Sequence, residues 1–162
     1  MKSSREIGTK ATVYSALLTA MTFALTRLFQ IPAANGYLHL GDSIIYITAF
    51  LLGGTAAGIA GGIGGALADL TSFPLYTVPT LVTKFIMGFV AGVIYKKKKN
   101  LLSMVLAFAA GSIIMLAGYY ISECIIFGNM LSPLSSLPSN LLQAVFSVPL
   151  PVLLTPVLRK IK

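Results

Sequence analysis

The sequence predicts an all-α integral membrane protein, a six-helix transmembrane bundle whose N- and C-termini both face the cytoplasm. Three observations carry that prediction. Hydrophobic residues make up 56% of the 162 residues and charged residues only 10%, against about 25% charge in an ordinary soluble domain. Ten of the twelve basic residues fall in three short clusters: Lys2, Arg5 and Lys10; Lys96 to Lys99; and Arg159, Lys160 and Lys162. Each cluster flanks an apolar stretch, the arrangement that keeps loops on the cytoplasmic side. The net charge of +8 is thus a topological signal rather than a nucleic-acid surface.

Spanning helices need roughly 20 apolar residues for a hydrocarbon core of about 30 Å. Four segments meet or approach this: about 11–29, 79–95, 101–122 and 139–158. The first is too long for the apolar core of a cleavable signal peptide and is read as a retained span. The stretch 43–68 has 26 residues without a charge. A single crossing there would deliver Lys96 to Lys99 to the outside, against the positive-inside rule. Two short helices, broken at Gly53-Gly54, return the four lysines and the C-terminal cations to the inside. Adjacent glycines weaken a helix and suit that break. Residues 1–162 then form one domain with outer loops at about 30–41, 70–78 and 123–138. None of these loops carries Lys or Arg, and Pro32, Pro74, Pro133 and Pro138 interrupt helices there.

Gly54, Gly58 and Gly62, with Ala66, recur every four residues, beside a second row of Gly61 and Gly65; Gly88 and Gly92 repeat the spacing. Small residues at this interval let helices approach closely in lipid. They do not form a phosphate loop, because no Gly-Lys pair follows, and no dinucleotide fingerprint is present. ATP or NAD binding by this chain alone is not expected on that basis. Ala16, Ala20 and Ala24 form a further small-residue stripe that faces either a neighbouring helix or a partner subunit.

The scarce ionisable groups of the membrane layer gather toward the outer side: Arg27, His39, Asp42, Asp69, Lys84 and Glu123. Charges near lipid face the protein interior or a wet cavity. Lys84 lies too deep for a simple flank. It serves as a structural ion-pair partner of Asp69 or Asp42, a snorkelling residue or a ligand contact. Asp69 sits near a helix C-terminus, where the dipole disfavours it, so a specific partner is expected, with Lys84 the candidate. Asp42 is placed to N-cap the second helix. Arg27 is read as an interface anchor. Tyr76, Thr80 and Lys84 share a helix face at spacing four. Tyr119 lies one turn before Glu123, and Asn140, Gln143 and Ser147 fall on the last helix. Together these groups suit a pocket for a small polar, heteroaromatic molecule. A single histidine excludes a histidine metal cluster, and the single cysteine, Cys124, excludes a disulfide framework. No cofactor or metal site is expected, and no hydrolase motif is present.

The run His39-Leu-Gly-Asp-Ser, followed by Ala49-Phe-Leu-Leu-Gly-Gly, by Ala57-Gly-Ile-Ala-Gly-Gly-Ile-Gly-Gly-Ala-Leu-Ala-Asp69 and by Pro79-Thr-Leu-Val-Thr-Lys84-Phe-Ile-Met-Gly88, resembles the substrate-binding S-components of energy-coupling factor (ECF) vitamin transporters. The resemblance spans nearly the whole chain. It implies a multi-pass protein of a prokaryotic plasma membrane that captures a small water-soluble vitamin or precursor at its outer face. It also implies partners: one transmembrane coupling subunit, docked on the Ala16, Ala20 and Ala24 stripe, and two ATPase subunits that drive uptake. The motifs look most like the branch handling hydroxymethylpyrimidine, pyridoxine-type molecules or pantothenate. The Asp-x-Pro-Ala pattern associated with riboflavin- and folate-type members is replaced here by Gly41-Asp42-Ser43-Ile44, and there is no tryptophan. The implied site comprises His39, Asp42, Asp69, Tyr76, Thr80, Lys84, Tyr119, Glu123, Asn140 and Gln143. Competing readings are a small membrane enzyme using the outer carboxylates and Lys84, and a channel-forming oligomer.

Overall fold

A computed structural model describes the backbone of residues 4–33 and 36–160 and the side chains of residues 8–33 and 36–156. Lys2 and Lys162 lie outside the described residues, as do the side chains of Arg5, Glu6, Arg159 and Lys160. Helix α1 (Ser4–Leu28) leads into a hairpin of β1 (Ile31–Ala33) and β2 (Gly36–Leu38). Then come α2 (Gly41–Leu51), α3 (Gly54–Ser72), a 3-10 turn at Pro74–Tyr76 and α4 (Thr77–Lys98). Helix α5 (Leu101–Phe127) is followed by a 3-10 turn at Ser132–Ser135, α6 (Leu137–Phe146) and α7 (Pro149–Lys160). Among the described residues, four helical segments are long and apolar enough to cross a bilayer: Gly8–Leu28, Pro74–Lys98, Leu101–Phe127 and Leu137–Pro156.

The break after the second helix falls where the glycine pair predicts it. Gly53 has φ +93°, a conformation that L side chains rarely adopt. Helix α2 has 11 residues, about 16 Å, and is short as expected. Helix α3 differs from expectation. Its 19 residues reach about 28 Å, longer than expected, although α3 is not among the segments both long and apolar enough to cross. The sixth expected helix is in two pieces, parted at residues 147–148 just ahead of Pro149, which has no amide hydrogen to continue the hydrogen-bond ladder of α6. Helix α5 runs on to Phe127, so the third outer loop is shorter than expected.

Helix α2 is the axis of the bundle. Residues Gly41 through Phe50 are all buried, and α2 packs on α1, α3, α4 and α7. Its Tyr46 and Phe50 join Tyr95, Met104, Phe108 and Met115 in one core cluster. The Phe50 and Tyr95 rings lie 4.2 Å apart, and Phe108 meets Tyr46 edge-on at 4.7 Å, contacts worth about 0.5–1.5 kcal/mol each beyond burial. The outer faces are apolar instead: Val105, Leu106 and Ile113 on α5 are exposed. This arrangement suits a lipid solvent.

Helices α3 and α4 approach almost backbone to backbone. A Cβ on Gly92 would meet the Gly54 backbone nitrogen at 2.4 Å, and one on Gly88 would meet the Ala57 carbonyl oxygen at 2.5 Å. On the other face of α3, Gly64 lies against Thr19 and Thr22 of α1. The α4–α5 turn is closed by a reciprocal cap: Ser103 N–H donates to Asn100 Oδ1 at 2.9 Å, and Asn100 N–H donates to Ser103 Oγ at 3.0 Å.

Gly92→Val forces α3 and α4 apart and lowers stability by about 1–3 kcal/mol, read as a fall in the thermal midpoint in detergent micelles. Gly8→Ala, where nothing lies within 4 Å, leaves that midpoint unchanged or slightly raised.

Candidate ligand-binding site

One end of the bundle encloses a polar cavity beneath the β1–β2 hairpin. The end of α1, the start of α2, the end of α3, the start of α4, the end of α5 and the start of α6 converge on it. At its base the Lys84 Nζ lies 2.6 Å from Asp42 Oδ2. Both residues are almost fully buried, at 2% and 1% exposure. Lys84 also meets Met115 Sδ at 3.1 Å and lies 5.3 Å from the centre of the Tyr119 ring. Asp42 does not cap α2, whose N-cap is Leu40 without a side-chain hydrogen bond. It sits in the first turn, where the helix dipole still favours a carboxylate.

Gln143 joins this pair to the hairpin. Its Nε2 donates to Asp42 Oδ2 at 3.0 Å and to the His39 carbonyl at 2.9 Å, while its Oε1 accepts from the His39 N–H at 2.9 Å. Beside it, Asp69 is not paired with Lys84 as expected. It accepts hydrogen bonds from the Tyr37 hydroxyl and from Thr80 Oγ1. Thr80 is 2.9 Å from the Tyr119 hydroxyl. A third carboxyl, Glu123, accepts from Tyr76 at 3.3 Å and from Ser136 at 2.6 Å. The Asn140 side chain lines the same space.

The hairpin lies outside the spanning helices, and its groups hold fixed protonation states. Burial, with the Asp69 charge, pushes the Tyr37 hydroxyl well above its usual range, so it stays a donor. Burial also lowers His39 to about 4, with Lys84 adding to the shift and Asp42 opposing it. Neutral His39 uses Nδ1 to accept the Gly41 N–H at 3.1 Å. Gly41 must be glycine for close approach, since a Cβ there would lie 1.9 Å from Thr26 Oγ1.

Residues 6–160 match the family model described as "ECF-type riboflavin transporter, S component". The chain belongs to this family of transporter S components. Two relatives are also similar to this chain. The thiamine precursor transporter HmpT of Lactococcus lactis subsp. cremoris (strain MG1363) is 33% identical over 149 residues, covering 90% of this chain and 85% of that protein. A Pyrococcus woesei relative, named as an uncharacterized protein in a gap 3' region, is 37% identical over 108 residues, 67% of this chain and 72% of the relative. The family is one of transporter components and not of enzymes.

This S component brings all ten residues singled out from the sequence to the one cavity. Ser147 is not among its lining; it lies at the α6–α7 break, where its carbonyl accepts from Ser43 Oγ at 3.1 Å. Arg27 is exposed in the last turn of α1. Sequence reasoning missed Tyr37, Phe73 and Ser136, which also line the cavity. Tyr37 lies just two residues before His39, the one signal that could have found it, and their rings are 5.6 Å apart. The alanine stripe is not used in internal packing throughout. Ala16 and Ala20 are exposed and Ala24 half-buried, beside an apolar groove between α1 and α3.

Lys84→Met leaves Asp42 as an uncompensated buried charge and lowers stability by about 3–5 kcal/mol, while the double variant Lys84→Met with Asp42→Leu regains much of the loss. Thermal unfolding of the four forms in micelles reads the cycle. A second outcome concerns pH. His39 takes a proton near pH 6.5 in the unfolded chain but near 4 in the folded one. Its contribution is full above pH 6.5 and is lost as pH falls toward 4. Thermal midpoints between these values therefore fall more steeply in the native protein than in His39→Gln.

Proposed function

We propose that this S component is the membrane-embedded binding subunit of an ECF-type importer. It captures a small water-soluble vitamin or precursor (hydroxymethylpyrimidine, a pyridoxine-type molecule or pantothenate) at the outer face of a prokaryotic plasma membrane. The observation that carries the reading is a buried polar cavity at one end of an otherwise apolar bundle, closed by a hairpin and lined by side chains from every surrounding helix. A membrane protein retains such costly groups where they serve a solute. The cavity is small, about 60 Å³, room for only a handful of waters. A single-ring molecule asks for less widening of that space than the three fused rings of riboflavin, named in the family description. The name of the Lactococcus relative, a thiamine precursor transporter, points in the same direction.

Orientation follows from charge. From Lys84, α4 runs 14 residues to Lys98, about 21 Å, so Lys96 to Lys99 lie at the end away from the cavity. Lys10 lies toward that same end on α1. The positive-inside rule puts this end, with both termini, in the cytoplasm and the cavity outside. The exposed alanines of α1 are then available to a transmembrane coupling subunit. Two ATPase subunits supply the energy, since the chain carries no phosphate-binding loop.

Gentle purification followed by mass spectrometry tests the reading directly, with a bound vitamin-sized molecule expected. Lys84→Ala weakens that molecule's binding by about 1–3 kcal/mol if a charged hydrogen bond is lost. In a Cys124→Ser background, Lys98→Cys is labelled only from the cytoplasmic side; labelling only from outside overturns the orientation. Ala20→Leu blocks assembly with the coupling subunit and leaves ligand affinity intact.

A further inference from the structure

The ion pair at the base of the cavity leaves one acceptor over. Asp42 is 1% exposed, and its Oδ2 receives both Lys84 and Gln143, but its Oδ1 is buried without a hydrogen-bond partner. A buried carboxylate oxygen without a donor is costly. The other two carboxyl groups of the lining and the Gln143 amide are already engaged. Asp69 receives two hydroxyls and Glu123 two more, and Gln143 uses both its hydrogens and its oxygen.

Lys84 carries three N–H donors. One goes to Asp42 and one faces the weak acceptor Met115 Sδ, which leaves a third. Asp42 and Lys84 both line the cavity, so a ligand that settles against its base meets an unused acceptor, Asp42 Oδ1, beside a donor, Lys84 Nζ. Its formal charge points the same way: three carboxyl groups, Asp42, Asp69 and Glu123, face one ammonium, and that ammonium is engaged. Arg27 is exposed on the outside of α1 and supplies no compensation. An anionic ligand would enter an already acidic site, while a flat ring meets the rings of Tyr37, His39, Tyr76 and Tyr119.

We propose that the cavity selects neutral or cationic amino-substituted nitrogen heteroaromatics, with Asp42 Oδ1 accepting the amino N–H and Lys84 donating to the adjacent ring nitrogen. Asp42 is then the specificity-determining residue, and vitamins bearing a carboxylate, pantothenate among them, are rejected. The inference rests on the importer reading and narrows it.

The test uses the full chain in micelles and calorimetric titration with four probes: hydroxymethylpyrimidine, cytosine, the hydroxymethylpyrimidine counterpart in which a carbonyl oxygen replaces the amino group, and pantothenate. At least one amino compound binds at least about tenfold tighter than the carbonyl counterpart, and pantothenate gives no heat. Asp42→Asn shrinks that preference, because its amide can turn an N–H toward the carbonyl. Should Asp42→Asn fail to fold, the native protein's ranking decides alone. Equal affinity for the amino and carbonyl forms, tighter binding of pantothenate, or no binding by either amino compound overturns the inference. The importer reading fails separately, if no vitamin-sized molecule is retained on purification.

Discussion

The structure depends on a charge pair placed where charge is expensive. Lys84 lies seven residues into α4, about 10 Å from its start, and Asp42 in the first turn of α2 meets it at 2.6 Å. Neither ion is tolerable alone at that depth. The pair therefore fixes the depth at which α2 begins. Because α2 starts well below the ends of α3 and α4, its 11 residues leave a space above it. The β1–β2 hairpin covers that space without filling it, and the cavity is what remains.

Around this pair the bundle is unevenly stiff. Helices α1, α3 and α4 meet through glycine and alanine, with the backbones of α3 and α4 in near contact at Gly54 and Gly92. Packing of this kind uses dispersion rather than the hydrophobic effect, which lipid does not supply. It sets Asp69 of α3 against Thr80 of α4. Helix α6 is tied differently. It ends at Phe146, ahead of Pro149, and reaches the core through the Gln143 amide, while just beyond its end the Ser147 carbonyl binds Ser43. One wall of the cavity is thus held by close packing and the other by a few hydrogen bonds.

The bundle was legible because its signals are one-dimensional. Apolar length gives the spans, and Gly53-Gly54 marks the break. The candidate site was legible for the same reason: successive helices alternate in direction, so residues near the same end of the bundle come together. What the sequence could not supply is the relative depth and rotation of neighbouring helices. Asp69 and Lys84 lie on helices that pack together, so their pairing was a reasonable expectation. Yet Lys84 turns to α2, and Thr80, one turn earlier, takes Asp69. The hairpin was missed because three-residue strands, one containing Pro32, carry no periodicity. The broken sixth segment was different: Pro149 and Pro151 stood in the sequence, and apolar length outweighed them.

Gln143 shows why the hairpin and the ion pair behave as one unit. Its amide oxygen and one hydrogen close a two-way link with the His39 backbone, and its other hydrogen goes to Asp42 Oδ2. No group of that amide is free to absorb a displacement. Asp42 is shared in turn between the hairpin, through Gln143, and α4, through Lys84. His39, held neutral by burial, adds no charge that would compete for Asp42 near neutral pH. The covering of the cavity is therefore anchored to the carboxylate at its base, so the base and the lid keep a common register.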